Sequence, residues 1–145
     1  KPEMSAREVT DRLVGTIQKG HTSLFIVNYA NGDMVGHSGI LEAAIKAVET
    51  VDEMIGEVVK ETLEVKGTVL ITADHGNCEQ MWDEENQTPH TAHTTNPVPC
   101  ILVSTFEGAF LRNGRLADIA PTILEILELP KPEEMDGKSL IVWPD

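Results

Sequence analysis

A chain of 145 residues with 41% hydrophobic content is long enough to bury a core and too apolar to be a disordered segment. Its formal net charge of −13 argues against nucleic acid and anionic membrane surfaces as partners, and an anionic substrate would need metal ions or basic residues to reverse the local field. No apolar run approaches the length of a membrane span, and no signal-peptide pattern opens the chain.

The first element is a helix. Ser5-Ala6-Arg7-Glu8 reads as a capping box, Val9, Leu13 and Ile17 follow at helical spacing, and Gly20 supplies a stop. Thr22 to Asn28 is short, apolar and β-rich, and is expected to form a buried strand. A second helical pattern, with Ile40, Ala44, Val48, Val51, Ile55 and Val59 on one face, runs to about Lys60, and Glu42, Lys46, Glu49, Glu53 and Glu57 mark its solvated face. Thr68 to Thr72 predicts another buried strand, Trp82 to Pro89 a polar surface loop, and Val98 to Ser104 a third apolar strand with Pro99 near an edge. Asn113-Gly114 signals a turn or hairpin, Asp118 is placed to cap a helix through Leu129, and a Pro-punctuated tail closes the chain. Strands alternating with amphipathic helices, with no internal repeat or linker, predict one α/β unit with helices on both faces of a sheet.

The chemistry gathers around strand ends. Asn28-Tyr29-Ala30-Asn31-Gly32-Asp33-Met34-Val35-Gly36-His37-Ser38-Gly39 follows the first expected strand and sets a carboxylate and an imidazole four residues apart, on one face if the piece is helical. Asp74 and His75 follow the second strand, and His93 enters from the loop before the third. Ligands in open α/β sheets sit beyond the carboxyl ends of strands, so Asp33, His37, Asp74, His75 and His93 are expected to converge and to supply oxygen and nitrogen donors for two divalent ions. Taken one at a time, each has a plainer reading: a structural histidine, an Asx turn or a capping aspartate. Three His-bearing motifs beside three strands favour the metal. The donor types alone accept manganese, zinc, cobalt or iron.

The other polar residues carry less. His21 is read as structural, His90 as exposed or sharing a face with His93, Glu79 and Asp83 as solvated loop groups in preference to supports behind the metal ligands, and Trp82 and Trp143 as packing residues. Neither Ser38 nor Ser139 has the surroundings of a nucleophile. Cys78 and Cys100 form no ligand pair by spacing and are expected to be reduced thiols of a cytoplasmic protein. The chain opens on Lys1 rather than methionine, which leads us to expect that it starts partway through a longer protein.

The Asn28–Gly39 motif, Thr72-Ala73-Asp74-His75-Gly76-Asn77 and His90-Thr91-Ala92-His93-Thr94-Thr95-Asn96-Pro97-Val98-Pro99 together resemble the cofactor-independent phosphoglycerate mutases of the alkaline phosphatase superfamily. Asp118-Ile119-Ala120-Pro121-Thr122 and Gly137-Lys138-Ser139-Leu140 add to the likeness, which covers essentially the whole chain. The resemblance implies an alkaline-phosphatase-like α/β fold, with residues 1–145 forming a single C-terminal segment of the metal-binding phosphatase domain. It implies that Asp33, His37 and His93 hold one manganese ion and that Asp74 and His75 hold part of a second. It further implies a cytoplasmic, glycolytic, monomeric isomerase that interconverts 3-phosphoglycerate and 2-phosphoglycerate through a phosphoserine. The motifs of the nucleophilic serine and of the inserted phosphotransferase domain are not found in these residues, so the chain alone is expected to be inactive. Two alternatives stay open: another superfamily member (phosphopentomutase, phosphatase or sulfatase), or a non-catalytic metal-binding module.

Overall fold

In the computed structural model, which describes residues 1–145, the elements run α1 (Ala6–Lys19), α2 (Asn31–Gly36), α3 (Leu41–Glu64), β1 (Val69–Thr72), β2 (Trp82–Asp83), β3 (Thr88–Pro89), β4 (Cys100–Val103), β5 (Phe110–Leu111), a 3-10 turn (Leu116–Asp118), α4 (Ile119–Ile126) and β6 (Ile141–Val142). The class is α/β, with three separate two-stranded antiparallel ladders. Two compact units are distinguished: Lys1–Gly67 with His75–Val98, and Thr68–Asp74 with Pro99–Asp145.

In the first unit α1 and α2 both pack on α3. The buried face of α1 is Ala6, Thr10, Leu13 and Ile17, and Gly20 ends the helix in the left-handed region at φ 70°. Ser5 does not cap it with its side chain. A preceding turn, with Ala6 N–H donating to Glu3 O, already serves the first helical amide. On α3 the buried residues are Ala44, Ala47 and Met54, whereas Ile40 and Val48 of the expected stripe are exposed. Small side chains let the helices approach closely, so the contact face follows the alanines rather than the bulkiest apolar residues. Thr10 donates its hydroxyl to Ala6 O and stands 2.7 Å from the Tyr29 hydroxyl, while Asn31 donates to Pro2 O and Glu3 O. These bonds tie the start of α2 to the N-terminal turn.

The strand expected over Thr22 to Asn28 does not form. A strand is secured by its ladder, and no segment of the chain pairs with this one. Leu24, Ile26 and Val27 are exposed, Ile26 at 83%. The expected polar loop after Met81 is instead a short hairpin, with Trp82 opposite Pro89 and Asp83 opposite Thr88. Asp83 shapes its turn by accepting from the backbone N–H of Glu85 and Asn86.

In the second unit β1 and β4 pair from Val69↔Val103 to Thr72↔Cys100, and Thr72 donates its hydroxyl to Pro99 O at 2.9 Å. These strands are half-buried rather than fully buried. Asn113-Gly114 closes no hairpin: β5 pairs with β6, far along the chain. Asp118 does not cap α4 either. Its carboxylate accepts from Arg115 N–H at 2.9 Å and Lys138 N–H at 2.8 Å, binding the tail to the 3-10 turn.

Candidate metal centre

Asp33 lies in the first turn of α2, and His37 directly follows the helix, so the two share a face one turn apart. His37 Nε2 is 3.1 Å from Asp33 Oδ1. His93 Nε2 reaches the same oxygen at 2.9 Å, and His75 Nε2 lies 3.9 Å from it. His37 Nε2 and His93 Nε2 are 3.1 Å apart, and the rings of His75 and His93 stack with centroids 3.7 Å apart. Asp33, His75 and His93 offer ligand atoms that all lie within 4.8 Å of one another. Asp33, His37, His75 and His93, all singled out in the sequence, therefore meet; Asp74, adjacent to His75 in the chain, lies in the bend two residues beyond β1 and is exposed.

The donor set suits a divalent cation. His37 Nδ1 is 2.6 Å from Thr91 O, an atom that can only accept, so Nδ1 carries a proton and Nε2 is the ring atom left to bind a metal. His75 Nδ1 is turned in the same way toward Gly76 O at 3.3 Å. Donor atoms bonded to one ion at about 2.0–2.1 Å lie about 3 Å from each other, which is the spacing of Asp33 Oδ1 and the two imidazole nitrogens. Burial raises the Asp33 carboxyl pKa, but the Asn77 amide donor and the neighbouring His37 and His93 outweigh it and hold the group below the ordinary aspartate value. A carboxylate kept ionised within reach of imidazole nitrogens matches the needs of a hard-to-borderline divalent ion.

Backbone and side-chain bonds hold the ligand-bearing segments together. Gly76 bridges to Thr94, whose N–H donates to Gly76 O at 2.9 Å. Glu79 is not the free loop group expected from the sequence. Its carboxylate accepts from Asn77 N–H at 2.6 Å, from the Thr94 hydroxyl and from Asn96 Nδ2 at 3.0 Å. Burial raises its pKa, but these donors together bring it below the ordinary glutamate value. Glycine at position 76 leaves this carboxylate its room, because a Cβ there would lie 2.3 Å from Glu79 Oε1 and would push it off its donors. Cys78 Sγ is 2.8 Å from Gly32 O, and burial pushes its thiol pKa up, as expected of a packed thiol.

Of the other groups named in the sequence, Ser38 donates its hydroxyl to Val35 O and accepts from Ile40 N–H, an end-of-helix role. His21 is exposed, and His90 is half-buried with its backbone N–H donating to Met81 O. Trp143 donates from Nε1 to Glu125 at 2.6 Å. Asn77 is the residue that sequence reasoning passed over, and Glu79 the one it placed in a solvated loop. Their only signal was their place inside and just after the Asp74-His75-Gly76 motif.

Residues 1–131 match the Metalloenzyme superfamily. The chain is 58% identical over 142 residues to a protein of Methanosarcina barkeri named 2,3-bisphosphoglycerate-independent phosphoglycerate mutase 2, with 98% of this chain and 27% of that protein covered. It is 59% identical over 141 residues to a protein of the same name, without the number, from Cereibacter sphaeroides, covering 97% and 28%. Among solved structures, a phosphoglycerate mutase of Leishmania mexicana at low cobalt concentration superposes with a TM-score of 0.88 at 31% identity, over 99% of this chain and 29% of that one. The chain thus spans little more than a quarter of the length of the relatives it matches.

Proposed function

The chain belongs to the Metalloenzyme superfamily, and on that premise we propose that it is the C-terminal metal-binding segment of a phosphoglycerate mutase that works without 2,3-bisphosphoglycerate. In this reading the whole protein interconverts 3-phosphoglycerate and 2-phosphoglycerate as a cytoplasmic, monomeric enzyme of glycolysis. On this reading the nucleophilic serine and the phosphotransferase domain would belong to the remaining length of such a protein, of which this chain spans little more than a quarter. The likeness to mutases from two distant microbes supports that reading.

The observation that carries the metal role is the meeting of His37 Nε2 and His93 Nε2 on one oxygen of Asp33, at 3.1 and 2.9 Å. Asp33, His37 and His93 would hold one ion, and Asp74 and His75 would contribute to a second. Manganese is the ion we assign. A divalent ion bound there supplies Lewis acidity toward phosphoryl oxygens and lowers the pKa of a hydroxyl nucleophile. The chain's own residues do the positioning. Thr91 O fixes the His37 tautomer, and Glu79 ties the His75 loop to the segment after His93. With a net charge of −13, this chain would need imidazoles and cations at this point to reverse the field toward an anionic phosphoglycerate.

Manganese titration of the 145-residue chain and of His93→Ala tests the site. The expected result is one ion bound to the chain and its loss in the variant, with no mutase turnover by the chain alone. Restoring the missing segments, by expressing a full-length mutase that carries these 145 residues, is expected to give turnover on both phosphoglycerates and none on pentose phosphates. Equal binding by His93→Ala would remove the ligand assignment, and turnover on pentose phosphates would remove the substrate.

A further inference from the structure

Asn77 is only 5% exposed and has no place among the ligands. Its carboxamide is oriented by an asymmetry. Nδ2 donates to Asp33 Oδ1 at 3.0 Å and to Asp33 O at 3.3 Å, whereas Oδ1 is buried with no hydrogen-bond partner. The opposite orientation would turn Oδ1 toward a carboxylate and a carbonyl, both acceptors, and is repulsive. A buried amide that leaves its acceptor unsatisfied loses stability. What it gains in return is its pair of bonds to Asp33, the shorter of them to the oxygen that also faces His37 and His93.

Two further contacts fix the carboxamide in this pose. The Asn77 backbone N–H donates to Glu79 Oε2 at 2.6 Å, and Glu79 in turn accepts from Thr94 and Asn96. Gly36 leaves just enough room on the other side: a Cβ there would lie 2.1 Å from Asn77 Oδ1 and 2.8 Å from its Cγ. The nearest other atom to that Cβ is Cys78 Sγ at 3.1 Å.

The geometry points to Asn77 as a positioning residue that sets the Asp33 carboxylate for metal binding, with Gly36 as the space it needs. The inference rests on the metal reading above and extends it to residues that hold no ion. A donor on one lone pair of Oδ1 fixes the plane of the carboxylate, so the remaining lone pairs face the imidazoles without a search over side-chain rotamers. Groups that orient a metal ligand in this way change affinity by about 10–100-fold when removed.

The test is a double-mutant cycle on the 145-residue chain, read by manganese affinity, by the visible absorption of bound cobalt, and by the metal-free melting temperature. Asn77→Ala is expected to weaken manganese binding about 10–100-fold and to alter the cobalt spectrum. Gly36→Ala is expected to do the same by pushing the carboxamide off Asp33. In the Asn77→Ala background, however, Gly36→Ala should cost almost nothing further, because the atoms it collides with are gone. Unchanged affinity and spectrum in Asn77→Ala would overturn the inference while leaving the metal site intact. Additive losses would overturn the role of Gly36 and with it the orienting contact. If both single variants lose the fold without metal, Asn77 is a folding residue and the assignment fails. If the unaltered chain binds no metal, the metal reading itself fails and takes this one with it.

Discussion

Asp33 and Asp118 are both held below the ordinary aspartate pKa, and both lie where loops meet a helix, yet they are built for opposite ends. Asp118 is 5% exposed and has a backbone N–H on each oxygen, Lys138 on Oδ1 and Arg115 on Oδ2. Its pKa is lowered chiefly by those two amides, one of which, Lys138, lies twenty residues from Asp118 along the chain. Asp33 is half-buried, accepts a single side-chain amide at Oδ1, and turns that same oxygen toward three imidazoles. A carboxylate whose oxygens are served by backbone donors is a structural knot, whereas one served by a single donor and ringed by imidazole nitrogens has the surroundings we propose for a metal ligand. Composition does not tell these two aspartates apart; their hydrogen-bond partners do.

The largest expected effect breaks the comparison in both directions. Asp33→Ala should abolish manganese binding, because it removes the one oxygen shared by His37 and His93, while lowering the metal-free melting temperature far less than Asp118→Ala does. Asp118→Ala should unfold the second unit at lower temperature with manganese affinity unchanged in whatever fraction remains folded. Calorimetric titration beside a thermal melt reads both. An Asp118→Ala chain that folds normally and fails to bind metal would reverse the two roles.

A smaller effect sharpens the structural half. Gly137 precedes the Lys138 amide, and a Cβ on Gly137 would lie 1.9 Å from Ala117 O and 2.6 Å from its carbonyl carbon. Backbone cannot step aside as a side-chain tip can, so Gly137→Ala must move the tail off the 3-10 turn and lengthen the Lys138–Asp118 bond. Overpacking of this kind costs about 1–3 kcal/mol, and chemical denaturation should read that loss. The Gly137→Ala and Asp118→Ala losses should also be strongly sub-additive, since both act on the same contact.

How much of this was legible follows the same division. The apolar spacing of Leu13 and Ile17 and the stop at Gly20 read correctly because helix periodicity is local. The convergence of Asp33, His37, His75 and His93 was legible because Asp33 and His37 are one turn apart and His75 and His93 sit in short, unusual motifs. The strand over Thr22 to Asn28 was misread because a strand exists only with a partner, and the partner cannot be seen in the strand's own residues. Asp118 was misread for a related reason. Its position before Ile119 looks like a helix cap, but its second donor, Lys138, lies far along the sequence. Glu79 looked solvated because its partners Thr94 and Asn96 belong to another loop. Contacts between segments distant in the chain are what the local pattern leaves out.

The smallest effect is one of pH, and it separates hydrogen bonding from charge at Asp118. Its folded carboxyl pKa is depressed below the unfolded value near 3.8, so its stabilising contribution is fully present above about pH 4 and is lost as pH falls through the folded-state pKa. The difference in melting temperature between the unaltered chain and Asp118→Asn should therefore be greatest near neutrality and shrink on acidification. Other depressed carboxyls, Asp33, Glu79 and Asp83 among them, titrate equally in both proteins and cancel in that difference. The Lys138 and Arg115 amides are the leading causes of the depression, ahead of the Arg112 and Arg115 charges. Salt screens charges and leaves short amide bonds in place, so the pH-dependent difference should persist in about 1 M salt, where the Debye length is about 3 Å. If salt erased it, the arginines rather than the backbone would be holding the carboxylate. Asp118 would then be an ion-pair site, and its contrast with Asp33 would be one of which charges surround it, not of how many backbone donors it has.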